Sequence, residues 1–186
     1  MNIVGVDYSL RSPGICIITD SNVKLHFLTE KPKWEGVILD GGKFSITGHT
    51  YPFWSNDQER HDKIANWVMS LLPEDCVCGI EGYAFASTSS RLFQIGEHTG
   101  CLKQKLWHSN IPFEIFQPAA VKKFATSKGN AKKDLMVETF IGQYNLDIGF
   151  HLGMKPGKVD SPVSDMVDAF FIAKILECQH RGNLVS

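Results

Sequence analysis

The sequence contains no C-x-x-C pair, no apolar run of membrane-spanning length and no surplus of charge of either sign. Its five cysteines are odd in number, and Cys76 and Cys78 alternate along an apolar stretch. They read as reduced core thiols facing one side of a strand in a cytosolic protein. The seven histidines show no ligand spacing with them, which argues against zinc. Met1-Asn2-Ile3-Val4 reads as a strand and not a signal peptide, so no membrane association and a cytoplasmic setting are expected. A formal net charge of −1 neither indicates nor excludes nucleic acid, because what matters is where the charges sit. Gly41-Gly42-Lys43 lacks the glycine spacing and the strand–helix context of a P-loop.

What is present fits one domain over residues 1–186, long enough for a real core. Ile3–Asp7, Ile15–Thr19 and Val23–Leu28, separated by the turn signals Pro13-Gly14 and Asp20-Ser21-Asn22, read as an antiparallel meander. Residues 29–56 carry Pro32, Gly36, Gly41, Gly42, Gly48, Pro52 and scattered aromatics, and read as a loop-rich insertion. A helix is expected from Asn56 or Asp57 to Leu72, stopped by Pro73, then a strand over Cys76–Glu81. A longer helix follows a Ser/Thr-rich loop, with Gly96 and Gly100 leaving a smooth patch on it. Phe113–Phe116 is a fifth strand, followed by helical segments from Pro118 and from Lys132 and a loop over Gly149–Lys158. The last helix has Ser161 as N-cap and Pro162 in its first position. A meander followed by alternating strands and helices indicates an α/β fold with one mixed sheet.

Four acids stand out. The apolar run Val77-Cys78-Gly79-Ile80 drives into Glu81, and a buried glutamate needs a reason. Asp7 ends the first strand in the same way, and Asp165 and Asp168, three residues apart, share one side of the last helix. Singly, each has an ordinary role: Asp7 to start a turn, Glu81 in an ion pair, the two helix acids to complement the macrodipole. Together, at the ends of strongly apolar elements, they are expected to meet. Converging carboxylates repel unless cations bind, and hard divalent ions such as Mg²⁺ or Mn²⁺ match them. Two such ions ~4 Å apart suit an in-line phosphoryl displacement.

The chain's one dense basic stretch holds five lysines, Lys122, Lys123, Lys128, Lys132 and Lys133, around a Ser-Lys-Gly-Asn loop. Such a run is usually a solvated surface. Beside an acid cluster it also reads as a stripe that tracks a nucleic-acid backbone.

In order, these pieces resemble the RuvC family of Holliday junction resolvases. They are the strand-ending Asp7, Ile80-Glu81, a glycine-containing helix, Pro118-x-x-Val121-Lys122, Gly129-x-Ala131-x-Lys133 and Asp165-x-x-Asp168-Ala169. The resemblance implies an RNase H-like fold, a mixed five-stranded sheet with helices on both faces. It implies that Asp7, Glu81, Asp165 and Asp168 bind two Mg²⁺ ions and that Lys122 and Lys133 contact DNA near the cut. It also implies that the helix over 90–107 forms a homodimer, since paired nicks in a four-way junction call for two-fold symmetry. The chain departs from the family in having Tyr8-Ser9 where Pro-Gly is usual, and Ala84 where bacterial enzymes carry a wedging aromatic. Tyr83 and Phe85 flank that position, with ordinary packing as the alternative for both. The insertion over 29–56 and the longer Gly149–Lys158 loop fit a divergent viral or organellar member, making an organellar matrix the alternative location. The rival readings are a related nuclease acting on flaps, branched replication intermediates or RNA, and a non-catalytic junction-binding or YqgF-like protein.

Overall fold

A computed structural model describes residues 1–83, 89–155 and 157–182. Its strands are β1 (Asn2–Asp7), β2 (Gly14–Ile18), β3 (Val23–Thr29), β4 (Gly36–Gly41), β5 (Phe44–Thr50), β6 (Cys76–Glu81) and β7 (Phe113–Phe116). Its helices are α1 (Asp57–Leu71), α2 (Ser89–His108), α3 (Pro118–Thr126), α4 (Lys133–Tyr144), α5 (Ile148–His151) and α6 (Val163–Gly182). One mixed sheet runs in the order β4-β5-β3-β2-β1-β6-β7. The β1–β2–β3 meander is antiparallel, and β6 and β7 add parallel to β1 on its other side.

The sheet has seven strands rather than five. Both additions lie in the stretch read as loop-rich. There Gly42 (φ 62°) turns β4 back into β5, and β5 pairs parallel with β3. Gly48 masks its strand because it is there to let another backbone in. A Cβ at that position would sit 1.8 Å from the carbonyl oxygen of Trp34. The stretch 149–158 also differs from expectation, since its start belongs to α5, capped by Asp147 Oδ1 on the Phe150 amide at 3.0 Å. Helix α1 starts where expected: Asn56 Oδ1 accepts from the Glu59 amide at 2.8 Å, and Glu59 accepts from the Ser55 amide at 2.7 Å. Reciprocal capping of this kind adds about 1 kcal/mol.

Period-two alternation puts the two faces of the sheet to different uses. Val4 and Val6 of β1 and Tyr8 just past it, with Cys76, Cys78 and Ile80 of β6, pack against Ile64, Ala65 and Val68 of α1 and Leu102 and Leu106 of α2. Ile3 and Val77 face the opposite side, toward α6. Because the parity is fixed, Asp7 and Glu81 also point to the α6 side. Register aligns them, since Gly5 pairs with Gly79 and Val6 with Ile80. No helix among the described residues is long and apolar enough to cross a membrane.

The floor beneath α6 is made of glycines. A Cβ at Gly5 would lie 2.1 Å from the Ala169 carbonyl oxygen, and one at Gly14 would lie 2.6 Å from the Asp165 carbonyl oxygen. At Gly79 it would meet the Ile172 side chain at 2.8 Å. These absent side chains let the helix lie directly on β1, β2 and β6, which brings its acids over the strand ends. Gly5→Ala should therefore destabilise the fold by roughly 3 kcal/mol or more, since helix backbone has to move. Urea unfolding checks this: the midpoint should drop with an unchanged slope, and an unchanged midpoint would contradict the packing described.

Candidate active site

Asp7, Glu81, Asp165 and Asp168 line one cavity of about 530 Å³ at the carboxyl ends of β1 and β6. Asp7 and Asp165 are buried, while Glu81 and Asp168 are half-buried. Helix α6 begins at Val163, one residue later than the Ser161 cap implied, so Asp165 lies in its first turn and Asp168 just beyond. Asp165 is tied in place: Ser12 donates to its Oδ2 at 2.5 Å and Ser164 to its Oδ1 at 3.2 Å. Lys133 reaches Ser164 Oγ at 3.0 Å and Asp165 Oδ1 at 3.7 Å.

The electrostatics show a site short of positive charge. Burial, then the neighbouring Glu81, Asp165 and Asp168, hold Asp7 well above the usual carboxylate range, and Lys133 offsets this only in part. Burial, helped by Asp168, lifts Glu81 to about 7 against the pull of Lys122 and Lys133. Burial likewise raises Asp168 to about 6, with Lys133 and Lys122 again opposing. Carboxylates raised by desolvation and by each other are the pattern of a functional site.

Among the described residues, no three His, Cys, Asp or Glu side chains close into a cation-holding group as they stand. The acids converge on one cavity, with Asp165 spoken for by hydroxyls and Lys133. In chemistry the set fits a hard divalent cation, because every acidic donor is a carboxylate oxygen and the group is destabilised by its own repulsion.

The lysine stretch divides. Lys122 of α3 and Lys133 of α4 line the cavity, whereas Lys123, Lys128 and Lys132 are exposed and do not. Tyr83 lines it too, half-buried, with Lys103 Nζ 5.0 Å from its ring centre. Phe85 and the neighbouring Ala84 lie outside the described residues.

Several members of the site carried no sequence signal. Ser9, Leu10, Arg11 and Ser12 line the cavity from the β1–β2 loop. Tyr8, on the opposite parity to Asp7, anchors the strand end from behind. Its ring stacks on His98 of α2 with centroids 4.0 Å apart and planes 7° from parallel. His98 is itself fully buried, and burial lowers it to about 3, so it is a neutral packing partner.

No protein-family profile and no curated protein sequence matches the chain. Solved structures do. The structure of Thermus thermophilus RuvC matches with a TM-score of 0.58 at 16% identity, over 97% of this chain and 97% of that one. The fold is that of RuvC. T. thermophilus RuvC in complex with a Holliday junction substrate gives a TM-score of 0.59 at 15% identity, over 97% and 96% of the two chains. Identity this low carries the RuvC fold, an RNase H-like α/β architecture with a mixed sheet, and leaves chemistry to the residues in the cavity.

Proposed function

We propose that residues 1–186 form a single nuclease domain, a metal-dependent DNA endonuclease that resolves four-way junctions by paired, symmetric nicks. The observation that carries this reading is the convergence of Asp7, Glu81, Asp165 and Asp168 on one cavity flanked by Lys122 and Lys133, on a RuvC fold. Two Mg²⁺ ions, with Mn²⁺ able to replace them, would be held by those four acids and supply the charge stabilisation that phosphodiester hydrolysis needs, giving 5′-phosphate ends. Lys122 and Lys133 hold the backbone phosphate at the cavity, Lys133 from a position fixed by Ser164. Lys123, Lys128 and Lys132 extend positive charge outward along the strand. Tyr83 and Phe85 are the candidates for the group that props the junction open.

A homodimer completes the reading. Phe93 and Trp107 are about three-quarters exposed on α2. A Cβ at Gly96 or Gly100, on the same face, would touch nothing within 4 Å among the described residues outside its own helix backbone. This aromatic-edged, flat helical face is suited to a second copy, and two-fold pairing would give two cavities for two nicks.

The test is cleavage of a synthetic four-way junction beside flap, linear duplex and single-stranded DNA in Mg²⁺. Paired nicks at symmetric positions, confined to the junction, are expected. Equal cutting of flaps and forks would replace the junction assignment with a broader branched-DNA nuclease. Binding without cutting of any substrate would move the chain to the non-catalytic class.

A further inference from the structure

The segment Ser9–Ser12 of the β1–β2 loop is held from several sides. The Arg60 guanidinium, from α1, donates to the Leu10 carbonyl, and the Tyr51 hydroxyl, just past β5, donates to the Arg11 carbonyl. Inside the loop, the Ser12 amide donates to Ser9 Oγ at 3.0 Å. At its end, the Ser12 hydroxyl meets Asp165 at 2.5 Å.

The braces are themselves braced. The Trp54 ring packs edge-on to Tyr51 at 5.3 Å and lies 5.0 Å from the Arg60 guanidinium carbon. Burial raises the Tyr51 phenol well above its ordinary value, so it stays a donor. Tyr51 and Trp54 belong to the stretch 29–56, which gives that addition to the sheet a task at the cavity.

What the brace presents is Arg11. Its side chain is exposed at the cavity rim, and no described residue hydrogen-bonds or ion-pairs with its guanidinium. An arginine whose loop is held from two other elements, at the rim of a cavity that four acids also line and with no side-chain partner among the described residues, is placed for an anion that arrives from outside. The loop joins β1 to β2, whereas α3, which carries Lys122, leaves β7 on the other side of β1. The cavity thus has cationic groups on both flanks, and a planar fork suited to phosphate on the β2 flank.

We propose that Arg11, presented by the loop that Tyr51 and Arg60 brace, binds a backbone phosphate of the DNA strand on the β2 side of the acid cavity. The proposal rests on the nuclease reading above. It adds a binding residue, Arg11, and a positioning residue, Tyr51.

The experiment measures affinity for a four-way junction against salt, in chelator, for wild type, R11Q, R11K, Y51F and R11Q/Y51F. R11Q should bind about tenfold more weakly, and its log–log salt slope should be shallower by about 0.9, one phosphate contact. R11K, which keeps the charge, should restore the slope. Y51F should cost about threefold when Arg11 is present and nothing in the R11Q background, because the brace acts only through what it presents. Melting temperatures control for folding, and Arg11, being exposed, should leave them unchanged.

A wild type that binds and cuts junctions beside an R11Q of equal affinity and slope would overturn the Arg11 contact and leave the nuclease reading standing. An equal cost of Y51F in both backgrounds would overturn its positioning role. A wild type that neither binds nor cuts branched DNA would overturn both the contact and the nuclease reading.

Discussion

Asp7→Asn should lower junction cleavage by at least about a thousandfold while DNA binding is kept. Asp7 ends β1 under α6 and sees the other three acids at once, since Glu81, Asp165 and Asp168 all act on its proton affinity. Removing its charge removes the central member of the set that would hold the cations. Losing several kcal/mol of transition-state charge stabilisation corresponds to three or more powers of ten in rate. The change is isosteric and takes away a charge that burial already disfavours, so the fold should tolerate it. It also reduces repulsion of phosphate, so affinity for the junction should hold or rise. Single-turnover cleavage and anisotropy binding measure the two effects separately. Retained Mg²⁺-dependent cutting by the variant would sink the assignment of the site.

Glu81→Gln should stabilise the cation-free protein at pH 8, with the gain fading as the pH falls from 7 to about 4. Glu81 is raised to about 7 in the fold, against about 4.3 for an unperturbed glutamate. The folded state therefore holds the proton more tightly than the unfolded chain. Its contribution to stability is present in full below pH 4 and is lost as the pH rises through 7. Above that, the ionised Glu81 sits desolvated beside Asp168 at a cost on the order of 4 kcal/mol. Glutamine has no charge to desolvate there. In chelator, thermal melting of wild type and variant from pH 4 to 9 should give curves that converge at the acid end and separate by several degrees at the alkaline end. A variant less stable than wild type at pH 8 would show that Glu81 is held by favourable partners rather than strained for function. The two predictions describe one trade: the acids that would bind cations are a liability to the empty fold.

The parts of this molecule that could be read from its sequence are those where a periodic pattern meets a residue that breaks it. Val77-Cys78-Gly79-Ile80 dictates a buried strand, so Glu81 at its end stands out, and parity then turns Asp7 and Glu81 to the same face. The meeting with Asp165 depends on Gly5, Gly14 and Gly79, whose role as a floor for α6 shows only once the strands are aligned. Residues 29–56 hide two strands in sequence because Gly36, Gly41, Gly42 and Gly48 are loop residues by propensity. In the fold, a turn and a close backbone approach require the last two of them. The loop brace left no trace for a simpler reason. Tyr51 and Arg60 bond to backbone carbonyls, which every residue has, so nothing at Leu10 or Arg11 announces the contact. Lys122 and Lys133 were separable from their three neighbours only by the RuvC resemblance, as all five lie in one charge run.

The measurement that bears most directly on the central claim, that these four acids form a cation site, is melting against Mn²⁺ for wild type and Asp7→Asn, without DNA, at pH 8. A ligand at about a hundred times its dissociation constant adds about 2.7 kcal/mol to the folded state, or about 5–10 °C for a chain of this size. The account predicts a saturable rise of that order in the wild type and little or none in the variant. No rise in the wild type, or the same rise in both proteins, would contradict it.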